Sequence, residues 1–210
     1  MTQTVAILGA SGKLGREVVA EALARGHRVR ALVRHAAARP VAHETLVIGD
    51  ARDEHALREL VRGADAVVSL IGPVADSGLD LSTRFTDALL AAMQAEGVAR
   101  LVYVTGAMVG HPRAQRGLVY RLIPRLMGAT ARAQLEDRRR AEASVLASPL
   151  RWTVVRPPRL AEGPPRGGTR WGEDLRVGSL ASIRRSDLAR LLLDAVSDPR
   201  TERRAFVAMR

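Results

Sequence analysis

Three glycines near the start of the chain have a spacing that suits phosphate binding. They follow the short apolar run 4–8 and precede an amphipathic stretch at 14–25. Such glycines let the backbone turn tightly out of a strand, approach a pyrophosphate and pack a helix closely on the strand. The N–H groups and positive dipole end of that helix point at the phosphates. The alternative, a glycine-rich turn without a ligand, fits the strand–turn–helix context less well. The predicted dinucleotide loop comprises Gly9, Ala10, Ser11, Gly12, Lys13, Leu14 and Gly15.

The end of the second predicted strand indicates which dinucleotide binds. Proteins that prefer NAD carry an acidic residue there, about 20 residues past the glycines, which holds the ribose 2′-hydroxyl. This chain has Arg34 at that place and no acid before Glu44. A guanidinium suits a 2′-phosphate, with Arg30 or Arg39 as helpers. Arginine could also stand there by composition alone, but the missing acid favours NADP(H) over NAD(H).

Alternating strands and helices must position these residues. Helical periodicity and capping signals alternate with nearly continuous apolar runs, which are typical of parallel strands covered on both faces. We predict a Rossmann-like, doubly wound α/β fold with a mainly parallel sheet of six to seven strands and helices on both faces. Strands are expected at 4–8, 27–34, 44–50, 65–72, 99–110 and 150–160, with an edge strand at 204–209. Helices are expected at 14–25, 53–64, 82–96, 133–147 and 186–196.

Composition narrows the function classes. The 210 residues are 47% apolar and include no cysteine, so we expect one domain over 1–210 without disulfides or thiolate chemistry. No histidine spacing suggests a metal site. No apolar run is long enough for a membrane span, and no leader-like segment precedes the first strand, so we expect a cytoplasmic protein. The net charge of +11 is spread over scattered arginines with 3% aromatics, so we do not expect nucleic acid as a partner.

Four segments together carry a family resemblance. The segments "ILGASGKLG", "VIGDARD", "LVYVTGAMVG" and "LRWTVVRPPRL", in this order, resemble the atypical short-chain dehydrogenase/reductase proteins with NAD(P)H-binding, NmrA-like domains. The closest likeness is to the biliverdin-IXβ reductase/flavin reductase branch. The resemblance covers essentially the whole chain.

The resemblance implies further cofactor contacts. It implies that Asp50, with Ala51 beside it, meets the adenine, although Asp50 could simply cap a turn. It implies that backbone at 70–72 follows the ribose side and that a proline pair lies against the nicotinamide amide, although prolines could simply end a strand. The residues concerned are Leu70, Ile71, Gly72, Pro157 and Pro158.

The chain departs from the wider superfamily at the proton donor. Active members use a serine with a Tyr-x-x-x-Lys pair, but neither Tyr103 nor Tyr120 has a lysine four residues on. The resemblance implies that Gly106 stands where the related reductases carry the serine, with Thr105 just before it. Chemistry that moves a proton in step with the hydride is therefore not expected. The hydride acceptor that remains compatible with this chain is a flavin or a similar planar conjugated molecule, which can take its proton from water.

Two residues are candidates for a direct catalytic role. Thr105 could hydrogen-bond the acceptor or the carboxamide, and His111 could donate a proton near neutral pH, although a loop histidine is more often simply solvated. The segment 111–131 is predicted to be a lid, with core packing or a dimer contact as alternatives. The segment 161–178 is predicted to be an irregular substrate-side loop, and the arginine run 138–140, beside Glu136, Asp137 and Glu142, a solvated helix face.

The sequence therefore predicts an NADPH-dependent reductase of flavins or similar planar acceptors. The alternative is a regulator that binds NADP(H) without catalysis, as NmrA-like relatives suggest. Either a monomer or a homodimer is compatible with the pattern.

Overall fold

The computed structural model describes residues 2–34, 45–72, 79–110, 117–118, 122 and 126–210. The strands are β1 Thr4–Leu8, β2 Arg28–Val33, β3 Thr45–Ile48, β4 Ala66–Ser69, β5 Arg100–Val104, β6 Arg151–Arg156, β7 Arg159–Ala161, β8 Arg170–Gly172, β9 Ser182–Arg184 and β10 Arg204–Met209. The helices are α1 Lys13–Ala24, α2 Glu54–Val61, α3 Leu81–Ala95, α4 Ala129–Ala147 and α5 Arg185–Ser197, followed by a 3-10 turn at Pro199–Thr201.

Eight strands form one sheet in the order β3-β2-β1-β4-β5-β6-β10-β8. All of its pairs are parallel except β10 with β8, which is antiparallel. The chain builds outward from β1 in one direction through β3 and then restarts at β4 in the other direction. This reversal leaves a crevice at the carboxyl ends of β1 and β4, where open α/β sheets bind their ligands. The predicted Rossmann-like fold is confirmed.

Side-chain alternation along the strands divides the core into two layers. Val5 and Ile7 of β1 face one layer, which α1 and α5 cover, while Ala6 and Leu8 face the other, which α2, α3 and α4 cover. Successive side chains of a strand point to opposite faces, and here both faces are buried. This double burial explains why the strands are continuous apolar runs in the sequence.

The structure corrects the prediction at the far edge of the sheet. Residues 204–209, predicted to be the edge strand, lie between β6 and β8. Among the described residues the sheet has eight strands, where six to seven were predicted. The edge is β8, from a segment predicted to be irregular. Trp171 of β8 packs on Phe206 of β10 with ring centroids 4.7 Å apart. A three-residue strand is too short for a periodic pattern, so only this long-range contact reveals it.

Several predicted boundaries also move; the strand predicted at 99–110, for example, ends at Val104. The strand predicted at 150–160 ends at Arg156, because Pro157 lacks the N–H that a further ladder bond needs. The chain then enters β7, which pairs with β9 in a separate parallel pair. Helix α4 begins at Ala129, earlier than predicted, with Gly128 as its N-cap.

Candidate functional site

The loop after β1 forms a cradle that only small residues permit. Gly9 has a φ of +79°, and an added Cβ would lie 3.2 Å from the carbonyl carbon of Leu70. The Gly12 N–H donates to the Gly9 carbonyl at 3.0 Å, which closes the turn. A Cβ on Gly15 would overlap the Gly9 carbonyl oxygen and Ala10. The three glycines therefore serve the positive φ, the tight turn and the helix–strand contact.

Helix α1 presents an open N-terminus to this cradle. Its N-cap residue, Gly12, has no side chain with which to cap it, and no acidic residue lies in its first turn. Helical N–H groups at such an end lack intrahelical partners and favour an anion. Ala10 and Gly15 are buried behind the turn, Leu14 is half-buried, and Ser11, Gly12 and Lys13 are exposed. The geometry fits a pyrophosphate.

Lys13 forms a long-range ion pair at the mouth of the cradle. Its Nζ lies 2.8 Å from Oε1 of Glu162, and the Arg185 guanidinium lies 3.4 Å from the same oxygen. The hydrogen bond from Lys13 lowers the pKa of Glu162. The phosphate loop is thereby joined to the segment predicted to flank the substrate.

At the other end of the crevice, Arg34 and Asp50 follow neighbouring strands. Arg34 is exposed just past β2. The carboxylate of Asp50 accepts two bonds from the Arg52 guanidinium, at 2.8 and 2.9 Å, and one from the Arg52 N–H at 2.8 Å. These bonds lower the pKa of Asp50 to about 2, and the charge of Arg34 acts in the same direction. Ala51 is half-buried against the layer of α2.

Arg52 is a functional candidate that the sequence analysis missed. It adds a second guanidinium at the end where a 2′-phosphate would lie, and its position two residues after Asp50 was the available signal. Arg30, considered as a helper, donates instead to the carbonyls of Leu60 and Glu59, at 2.8 and 2.6 Å. Arg39 lies outside the described residues.

The strand ends along the middle of the crevice are held by backbone bonds. Leu70 donates its N–H to the Leu8 carbonyl at 3.0 Å, which places the segment Leu70, Ile71 and Gly72 beside the glycine loop. Ala107 donates to the carbonyl of Pro157 at 3.0 Å, so Gly106 and the Pro157–Pro158 turn lie side by side. The structure thus brings the predicted cofactor contacts after β1, β4, β5 and β6 to one edge of the sheet.

A buried polar cluster underlies the predicted nicotinamide end. The Thr105 hydroxyl donates to Oε2 of Glu142 at 2.6 Å, and the Arg156 guanidinium donates to Oε1 at 2.6 Å. Arg138 donates to the Thr105 carbonyl at 2.9 Å. Only 3% of Glu142 is exposed. The Thr105 proton is therefore committed to a carboxylate within the protein.

This cluster corrects the interpretation of α4 as a solvated face. Asp137 and Glu142 are buried, and Arg138 is half-buried. Asp137 caps α3 from a distance by accepting the N–H groups of Ser82 and Thr83 at 2.7 and 3.2 Å. Charged side chains on a helix have the same sequence pattern whether they form hydrogen bonds with distant residues of the chain or with water.

Tyr103, His111 and the segment 161–178 were also considered in the sequence analysis. Tyr103 is buried and shares a 2.8 Å hydrogen bond with Thr86, and burial raises its pKa to about 12. His111 and most of the proposed lid at 111–131 lie outside the described residues. The segment 161–178 is bound to helix α5, because the buried carboxylate of Asp187 in that helix accepts the N–H groups of Arg166 and Gly167.

Neither metal nor membrane features emerge from the described residues. Within them, no group of three or more histidine, aspartate or glutamate side chains could hold a metal ion. None of the helices in this part of the chain is long and apolar enough to cross a membrane.

The fold and the glycine cradle define a nicotinamide-dinucleotide-binding protein, and comparison with known proteins gives the family. A family model described as NAD(P)H-binding matches residues 9–199, so the chain belongs to the NAD(P)H-binding family. This membership confirms the NAD(P)H-binding part of the resemblance. An uncharacterized protein of Mycobacterium tuberculosis is 32% identical over 115 residues, which are 54% of this chain and 13% of that protein.

Solved structures share the fold. ChuY of Escherichia coli O157:H7, described as an anaerobilin reductase, is 20% identical with a TM-score of 0.79, over 98% of this chain and 96% of ChuY. A wide-type short-chain dehydrogenase/reductase of Veillonella parvula, solved in complex with NADP, is 15% identical with a TM-score of 0.77, over 99% of this chain and 94% of its own. An oxidoreductase of Lactococcus lactis is 16% identical with a TM-score of 0.81, over 98% and 90%. At these identities the likeness establishes the fold.

Proposed function

We propose that the protein is an NADPH-dependent oxidoreductase that transfers hydride to a flavin or a similar planar conjugated acceptor. The observation that carries the proposal is the uncapped N-terminus of α1 beside the glycine cradle, at an edge that continues to Thr105 and Pro157. A dinucleotide seated there by its pyrophosphate would extend along the strand ends toward the β5–β6 side. A cytoplasmic location, and a monomer or homodimer, belong to the same proposal.

The charges at the adenosine end support NADP(H) over NAD(H). Arg34 is exposed at the end of β2 and Arg52 lies beside Asp50, so two guanidinium groups lie at one end of the crevice. Asp50 already accepts from Arg52 and therefore is not a free carboxylate for a ribose hydroxyl. A 2′-phosphate would receive charge-assisted bonds from this arginine pair. The solved neighbour in complex with NADP agrees with this choice of cofactor.

The residues at the β5–β6 end support an acceptor that does not need a protein acid. Lys13 is the only lysine and pairs with Glu162, while Tyr103 is buried against Thr86. The Thr105 hydroxyl donates to Glu142 and can only accept a bond from a ligand. When bound, reduced nicotinamide supplies a hydride, which a flavin takes up with a proton from water. The chain would contribute position and the exclusion of competitors.

Steady-state oxidation of NADPH with FMN, FAD and riboflavin tests the proposal. We expect turnover with at least one of these acceptors, formation of reduced flavin under anaerobic conditions, and a higher kcat/KM with NADPH than with NADH. A Lys13→Gln variant removes the ammonium group of the cradle and keeps its backbone N–H donors. We expect this variant to have a raised KM for NADPH. Absence of turnover with every planar acceptor, in protein that binds NADPH, would contradict the proposal.

The second candidate is a redox-sensing regulator of the NmrA-like type. Two features favour this candidate: the Thr105 proton is donated to Glu142, and the chain lacks a Tyr–Lys pair. Both leave the site without the usual proton donor, and neither hinders cofactor binding. It predicts binding of NADP+ and NADPH with different affinities, no turnover and a protein partner recovered by co-purification. Calorimetry with both cofactor forms, combined with the turnover assay, distinguishes the two candidates.

A further inference from the structure

A pocket rich in arginine lies beyond the proposed cofactor crevice. It has a volume of about 490 Å³ and is formed where the β7–β9 pair meets the end of β10. Arg159 and Arg184 approach it from the two neighbouring strands, and Arg166 and Arg210 complete its basic lining. Ile183 is a buried apolar side chain of the same wall. Pockets that take small ligands combine apolar walls with a few convergent polar groups.

The positive charge of this pocket is not neutralised by any ion pair within the described part of the chain. Among the described residues, no carboxylate is paired with the guanidinium groups of the four lining arginines. Glu162, the acidic residue of the lining, is already engaged by Lys13 at 2.8 Å and by Arg185 at 3.4 Å. Like charges gathered in a concave surface repel one another and raise the local potential. An anion would relieve that repulsion.

The arginine-rich composition does not by itself explain this pattern. Many exposed arginines elsewhere on the described surface pair with carboxylates, among them Arg52 with Asp50 at 2.8 Å, Arg151 with Glu202 at 2.6 Å and Arg204 with Glu173 at 2.7 Å. Others, such as Arg34 and Arg170, form no such pair among the described residues, but they are not gathered in one pocket. The pocket arginines differ because carboxylates are absent from the lining apart from Glu162. Arginine clusters of this kind suit carboxylate and phosphate groups, which accept bonds from the planar fork.

Hydrogen bonds between the β7–β9 region and α5 hold the pocket in shape. The carboxylate of Asp187 accepts the N–H groups of Arg166 and Gly167 at 3.1 Å, and the Ser186 hydroxyl donates to the Gly163 carbonyl at 3.0 Å. Arg184 donates to the carbonyl of Pro164. The segment that carries Arg166 is therefore anchored to the first turn of α5. A pocket that is formed before binding loses less free energy to ordering when its ligand enters.

We propose that this pocket binds the carboxylate or phosphate groups of the acceptor, so that the substrate is a planar conjugated molecule with an anionic side chain. The inference rests on the proposed function and names its substrate class. Two placements support it: the pocket follows the Pro157–Pro158 turn along the chain, and Glu162 joins it to the phosphate loop through Lys13. An acceptor stacked at the β5–β6 end would have its anionic groups near these arginines.

FMN and riboflavin provide a matched pair of acceptors that differ only in a phosphate. We expect a higher kcat/KM with FMN, and we expect the Arg159→Gln/Arg166→Gln double variant to lower the FMN-to-riboflavin ratio about tenfold, the effect of losing a charge-assisted hydrogen bond. Both side chains are exposed, so the fold is expected to persist. The control, Arg58→Gln, removes an exposed arginine of α2 and should keep the ratio unchanged. A ratio that is the same in the double variant would overturn the inference.

A binding measurement separates this inference from the proposed function. Inorganic pyrophosphate is titrated into protein saturated with NADP+, so that the cradle at α1 is already filled. We expect one pyrophosphate site in the wild type and in Arg58→Gln, and at least a tenfold weaker site in the double variant. If no flavin is turned over but this site is present, the proposed function fails and the anion pocket stands. If flavins are turned over but saturation with NADP+ abolishes the site, the pocket inference fails alone.

Discussion

The hydroxyl of Thr105 at the end of β5 donates to Oε2 of Glu142 in α4, at 2.6 Å and 37 positions away in the sequence. The other carboxylate oxygen of Glu142 accepts from Arg156 at the end of β6, and the Glu142 and Arg156 side chains are 4% and 10% exposed. A single buried carboxylate therefore links α4 to the two strands that border the proposed nicotinamide end. It fixes the rotamer of Thr105 and neutralises Arg156.

Replacement of Glu142 by Gln is expected to lower the free energy of unfolding by about 3–5 kcal/mol, because it leaves Arg156 buried without its counter-charge. Urea denaturation at neutral pH measures this loss. The control is Glu136→Gln, whose carboxylate pairs with Arg139 on the outer face of the same helix and should cost less than about 1 kcal/mol. Equal losses in the two variants would show that the buried pair is not a particular source of stability.

Replacement of Gly15 by Ala is expected to disrupt the phosphate cradle, since the added methyl group would overlap the Gly9 carbonyl oxygen and Ala10. Overpacking of this kind costs about 1–3 kcal/mol, and calorimetry should show NADPH binding weakened at least tenfold. The matched variant is Gly178→Ala, where an added Cβ meets nothing within 4 Å. We expect its cofactor affinity to equal that of the wild type. Normal binding in Gly15→Ala would refute the proposed seat.

Replacement of Arg34 by Glu is expected to weaken NADPH binding about 10- to 100-fold, with a much smaller effect on NADH, because the arginine is proposed to bind the 2′-phosphate. Arg52→Gln should act in the same direction. Dissociation constants for both cofactors, measured by fluorescence titration, provide the comparison. Arg58→Gln is the control for general loss of positive charge. Equal losses for NADPH and NADH would mean that neither arginine distinguishes the two cofactors.

The Asp50 carboxyl is expected to titrate at a pKa of about 2 instead of 3.8. Because the folded-state pKa is the lower one, the stability from the Asp50–Arg52 contact is present above the ordinary pKa and is lost as the pH falls through about 2. Carboxyl carbon NMR measures the midpoint directly. In Arg52→Gln it should move toward 3.8, while the charge of Arg34 keeps it somewhat lower. An Asp50 midpoint near 3.8 in the wild type would contradict the geometry.

Much of the fold was predictable because neighbouring residues encode it. Burial on both faces makes the inner strands continuous apolar runs, and glycine at 9 reflects a positive φ that other residues avoid. The edge strand at 170–172 was not predictable, because three residues carry no period. Its place in the sheet depends on pairing with β10 and on the contact between Trp171 and Phe206.

The sequence by itself determined the NAD(P)H-binding family, the glycine turn after β1 and most of the strands, because the spacing of glycines and apolar runs depends on a few neighbouring residues of backbone. Tertiary structure alone decided that Glu142 is buried beneath Thr105, that Lys13 pairs with Glu162 and that four arginines share one pocket. Charged residues have the same pattern in a helix or loop whether water or a distant partner satisfies them. Only the packing of the elements brings such partners together.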